Sequence, residues 1–165
     1  MSRFTTVSAV LFGAALLSTA QAAPLMERNL NSEDAMAAYE RMLMNSCGPN
    51  LNNVTVVFVD RAGQVVLQAR ANGAALHNLD LARRKAYTGR TFRTKSIEWR
   101  DRTTGTQPAA GQRMLAEVIP LGGGSPIMIG EEVIGGVGVS GAQGGQPGDQ
   151  ACSDAGAAAV VAAAR

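Results

Sequence analysis

The chain of 165 residues carries one histidine, two cysteines, one tryptophan, two tyrosines and four phenylalanines. One histidine and two distant cysteines show none of the ligand spacing of a zinc site, which sets structural zinc aside. With so few aromatics the core must be built from Val, Ile, Leu, Met and Ala, and small-residue packing brings backbones close together. Long apolar runs are missing too. The run from Val7 to Leu17 is short and rich in Ala, Ser and Thr, whereas a membrane span needs about 20 predominantly apolar residues. A phosphate-binding loop of the Walker type is absent, because Gly122-Gly123-Gly124-Ser125-Pro126 lacks the required lysine.

An early Arg3, the apolar run and the small-x-small ending Ala20-Gln21-Ala22 have the layout of a secretory signal peptide over residues 1–22. The mature chain, residues 23–165, is then an exported, soluble single domain, in the periplasm or outside the cell. Loss of Arg3 lowers the net charge from +2 to +1. Outside the reducing cytosol, an even cysteine count favours a disulfide between Cys47 and Cys152. It would close a loop of roughly 100 residues, worth about 4 kcal/mol in the chain-entropy model. Two buried free thiols are the alternative.

Residues 30–46 read as a helix capped by Asn31 or Ser32, with Met36, Tyr39 and Leu43 on one face. CGPN stops it. VTVVFVD and QVVLQARA, joined by Asp60-Arg61-Ala62-Gly63, make a β-hairpin. A second helix begins near His77, with Asn78 as cap, Asp80 in its first turn, and a small-residue stripe of Ala82, Ala86, Gly89 and Phe92. Residues 103–117 are loop with a short helix. AEVIPL, SPIMIG and EEVIGGVGVSG are three strand candidates with a turn at Gly130-Glu131, and an alanine-rich helix capped by Asp149 ends the chain.

Residues 83–102 hold eight basic side chains against Glu98 and Asp101, either an anion-facing surface or a solvated helix face. Gly136-Val137-Gly138-Val139-Ser140-Gly141 matches a dinucleotide-binding string, but hairpin-like strand order and further Gly and Pro argue against a parallel βαβ unit. No serine sits in a nucleophile elbow. Phe92 and Trp99 lie among the cations, yet an exported protein sits away from chromosomes, so no nucleic-acid partner is expected. Asn53-Val54-Thr55 is a formal glycosylation sequon.

VVFVDRAGQVVLQARANGA, LARRKAYTGRTF, PLGGGSPIMIGEEVIGGVGVSGA and DQACSDAGAAAV, in that order, resemble the GlcG/HbpS family of haem-binding-type domains over nearly all of the mature chain. The resemblance implies a profilin-like α/β (α+β) fold, a five-stranded antiparallel sheet flanked by helices, assembled as a homo-oligomer. It also implies associations with haem, with extracellular redox sensing beside a signalling partner protein, with glycolate-utilisation gene clusters and with corrinoid adenosyltransferases. Fold alone does not choose among these.

Haem asks for an axial ligand, an apolar slot and cations for its propionates. His77, Tyr87, Met114 and Met128 can each ligate iron, and His77 is the tentative ligand on chemistry and placement. Arg83, Arg84 and Lys85 can meet propionates, while Val65, Leu67 and Leu76 can line a slot. His77 is equally a helix-entry residue packing near Ala82. In the family pattern Lys85, Ala86 and Thr88 stand beside the pocket, and Gly122, Gly123, Gly124 and Pro126 shape a turn near it. The leading expectation is an exported, non-catalytic haem or tetrapyrrole binder, a sensor or scavenger. The alternatives are a small-carboxylate-binding enzyme or accessory of 2-hydroxy acid (glycolate) metabolism, using Arg83, Arg84 or Lys85, and a ligand-free structural oligomer.

Overall fold

The computed structural model describes residues 25–45, 47 and 51–164. The signal-peptide reading over 1–22, the stop at 48–50 and the side chain of Leu43 lie outside the described residues. The order of elements is α1 (Ser32–Asn45), β1 (Thr55–Asp60), β2 (Val65–Arg70), α2 (Asn78–Phe92), α3 (Ser96–Arg102), β3 (Gly124–Ile129), β4 (Glu132–Ser140) and α4 (Gln146–Ala163). Short 3-10 turns fall at Leu51–Asn53 and Ala110–Met114. Among the described residues no helix is long and apolar enough to cross a membrane.

The strands form one antiparallel sheet in the order β2-β1-β4-β3. Alternation along β1 sorts its side chains: Val56 and Phe58 face a core shared with Ala35, Ala38 and Met42 of α1 and Cys152 and Val160 of α4. Val57 and Val59 face Ala82 and Ala86 of α2. The sheet therefore lies between α2 on one side and the α1/α4 pair on the other. A disulfide joins Cys47 to Cys152, with Cα atoms 4.9 Å apart.

Glycines set how deeply α2 seats. On β4, Val137 and Val139 point into the α1/α4 core, leaving Gly136 and Gly138 on the α2 side. A Cβ at Gly138 would stand 1.9 Å from the Ala82 carbonyl oxygen, and one at Gly136 2.6 Å from that of Ala86. The Gly-x-Gly string thus serves helix packing on an antiparallel strand, as its hairpin context suggests.

Four strands, not five, are found among the described residues. AEVIPL forms none: its Val118 and Ile119 are buried, but its backbone is bonded to α2 side chains. Thr88 Oγ1 accepts from Ile119 N at 2.9 Å, and Arg84 Nη2 donates to the Val118 carbonyl at 2.6 Å. Pro120, which has no N–H, then interrupts any ladder. Smaller expectations also shift. Asn31 caps α1, its Oδ1 accepting from Asp34 N at 2.8 Å, and the helix buries Ala35, Ala38 and Met42 while Met36 is exposed. The residue before α2 is His77, with no side-chain cap bond, and α4 opens after Gly145, leaving Asp149 in its first turn. Phe92 is only half-buried and stacks on Trp99, centroids 4.8 Å apart.

Candidate functional site

The eight residues expected around a ligand do not share one surface. His77 is exposed at the start of α2 beside Leu76, itself 79 % exposed. Arg83 is bridged by Asp80 and Glu117, and the Glu117 carboxylate, ahead of Asp80, holds its guanidinium above the ordinary arginine value. Arg84 is held by the Val118 carbonyl, with Asp80 Oδ2 3.8 Å away. The Tyr87 ring lies against the β1–β2 turn, where a Cβ on Gly63 would come within 2.7 Å of it. Thr88 is buried and donates to the Arg84 carbonyl at 2.8 Å while accepting from Ile119.

Lys85 does not reach solvent. Its side chain is 2 % exposed, and Nζ donates to Asp149 Oδ2 at 2.7 Å and to the Val139 carbonyl at 3.0 Å. Asp149 Oδ1 accepts from Ala142 N at 2.8 Å. Gly123, at φ 117°, lets this pair pass: a Cβ there would meet the Val139 oxygen at 2.6 Å and Asp149 Cβ at 2.7 Å. Burial pushes the Lys85 ammonium below the ordinary lysine value, with the Asp149 carboxylate opposing. Lys85 is thus a bolt joining α2, β4 and α4, and Gly123 is the gap that admits it.

Pro126 is the one member of the expected set that lines a described groove. β3 is an edge strand, where a proline costs no ladder bond on its free side. Beside it, Pro126, Met128, Ala157, Ala158, Val161 and Ala162 line an apolar groove of about 430 Å3 between β3 and α4. Pro126 and Ala157 continue into a polar groove of about 420 Å3 that includes Arg93, Thr94, Lys95 and Ser125. Arg93 takes a left-handed backbone (φ 53°) that ends α2, and its Nη2 donates to the Glu131 carbonyl. Lys95 pairs with Asp154 at 2.8 Å, and that carboxylate holds its ammonium above the ordinary lysine value.

This joined groove has some of the features a tetrapyrrole uses, apolar walls and a soft thioether on Met128, while at its polar end Arg93 and Lys95 stand beside the carboxylates of Glu98 and Asp154. His77 lies outside this groove, exposed beside Leu76. Of this groove the sequence singles out Pro126 and Met128, whereas Arg93 and Lys95 read only as members of the basic run and the α4 wall does not stand out. Ala157 and Val161, at i and i+4 on the alanine-rich helix, are the local signal for that wall.

The family model described as haem degrading protein HbpS-like matches residues 30–158. An uncharacterised 15.0 kDa protein from the dhaT-dhaS intergenic region of Citrobacter freundii is 36 % identical over 96 residues, which cover 54 % of this chain and 66 % of that protein. The chain therefore spans just under two thirds of that relative's length. A double mutant of Streptomyces reticuli HbpS superposes with a TM-score of 0.75 at 25 % identity, covering 88 % of this chain and 97 % of that one. PduOC, crystallised as a haem complex, superposes at 0.69 and 25 % identity over 79 % and 94 % of the respective chains. With the match running from the residue before the α1 cap through all four strands and into α4, the chain belongs to the HbpS-like family.

Proposed function

We propose that this chain is an exported haem- or tetrapyrrole-binding protein that captures its ligand without turning it over, as a scavenger or sensor working beside a signalling partner, and that it assembles with further copies of itself. The observation that carries the reading is the amphipathic groove along β3 and α4 in a chain of the HbpS-like family. The haem complex formed by PduOC supports it. Bound haem would supply a redox-active iron. Met128 would offer a thioether to it, Pro126, Ala157 and Val161 would shield the ring from water, and Arg93 and Lys95 would meet propionates in place of the Glu131 carbonyl and Asp154 they now hold. His77 is the competing donor, presented from a separate surface. Arg83, Arg84 and Lys85, the cations of the carboxylate reading, lie outside this groove, where Arg83 pairs with Asp80 and Glu117, Arg84 donates to the Val118 carbonyl and Lys85 is buried against Asp149.

A hemin titration of residues 23–165, followed at the Soret band, tests this beside Met128→Ala and His77→Ala. Saturable one-to-one binding with a Soret shift lost in Met128→Ala is the expected result. Loss in His77→Ala alone would transfer the iron to the start of α2, and no saturable binding would end the haem reading. Decay of the Soret band under reductant and oxygen would replace capture with degradation. Export is checked by the mass of the protein recovered outside the cytoplasm, which should lack residues 1–22.

A further inference from the structure

A second groove, of about 470 Å3, is lined by Leu25, Glu27, Asn29, Arg61, Ala62 and Arg90, away from β3 and α4. Its two arginines are in different states. Arg61 is fully engaged: Nη1 donates to Glu132 Oε1 at 2.9 Å and to the Val133 carbonyl at 3.0 Å, and Nη2 donates to Glu27 Oε1 at 2.6 Å. Two carboxylates answer its single charge. The Arg90 side chain has no hydrogen bond or ion pair among the described residues, and its buried Nε lacks an acceptor. Its stem leaves α2 directly over β4, where a Cβ on Gly136 would stand 2.8 Å from Arg90 Cβ.

A guanidinium beside a groove, with no counter-ion among the described residues, is a planar donor open to a carboxylate. We propose that this groove binds a small monocarboxylate, with Arg90 taking the carboxylate, Leu25 and Ala62 covering an apolar body, and Glu27 repelling a second negative charge. The volume lies within the range of about 300–1,000 Å3 usual for small-molecule sites. No lining residue is shared with the β3–α4 groove, so this site and the haem reading stand or fall separately.

The test is a titration of residues 23–165 with benzoate, benzamide and phthalate, followed by amide chemical shifts and calorimetry. Benzoate should give saturable shifts at Leu25 and Ala62, benzamide none, and phthalate weaker ones. Arg90→Gln should weaken benzoate roughly tenfold or more, the scale of a charge-assisted hydrogen bond. If that variant does not fold, the wild-type comparison decides: equal response to benzoate and benzamide overturns the proposal. So does the absence of saturable shifts, or benzoate binding that Arg90→Gln leaves unchanged.

Discussion

At the scale of single residues, the chain's two lysines illustrate opposite ways of holding an ammonium. Lys85 is buried against Asp149, whereas Lys95 meets Asp154 at the surface. Removing one partner of a buried pair strands the other charge, so Lys85→Met should cost about 3–5 kcal/mol in urea unfolding. Adding Asp149→Asn should recover part of that, since the amide oxygen can still accept from Ala142 N. The pH dependence has a definite sign. Folded Lys85 titrates below its ordinary 10.5, so between its folded value and 10.5 the unfolded chain holds a proton that the folded chain has released. Stability should therefore rise with pH through that window. Lys95 is raised above 10.5, so its contribution is complete below that value and is lost above it. A urea midpoint that climbs toward pH 10.5 in wild type, with the slope gone in Lys85→Met, is the expected record. None of this was legible locally: Asp149 reads as a helix cap, and its partner lies 64 residues away.

At the scale of elements, the strands and helices that follow local patterning were readable. The β1–β2 hairpin follows from β-branched runs around Asp60-Arg61-Ala62-Gly63, whose Gly63 takes φ 82°, and α2 follows from its small-residue spacing. AEVIPL was misread because its apolar pattern is that of a strand while its hydrogen-bond partners are side chains on α2, information no local window contains. The face of α1 slipped for a related reason: Ala35 and Ala38, not the larger Met36, meet the tightly packed α4. The seat of α2 on β4 gives a direct check. Gly138→Ala would push a methyl into the Ala82 carbonyl, and should cost about 1–3 kcal/mol through overpacking. Gly111→Ala, where nothing lies within 4 Å, should stay within about 0.5 kcal/mol. Urea midpoints of the two variants separate close approach from a general effect of replacing glycine.

For the whole molecule, the sheet order places β1 beside β4, so its central pairing waits on a strand from the far end of the chain. Such non-local pairing slows folding relative to local hairpins. The disulfide spans a comparable stretch, 105 residues, and it restricts the unfolded ensemble most where the closed loop is longest. Cys47→Ser with Cys152→Ser should therefore lose about 4–5 kcal/mol in the chain-entropy model, read as a lower urea midpoint than the oxidised protein. The pairing itself was readable from the even cysteine count together with the expectation of export; that it pins α1 to α4 beneath the sheet was not. The same link makes a closed ring of β1 through β4. A protease that cuts once within it, for instance beside exposed Met114 and Leu115, opens the ring without releasing a piece. The nicked molecule would keep its full mass plus one water on a non-reducing gel, and its two fragments would part only when a thiol reagent is added.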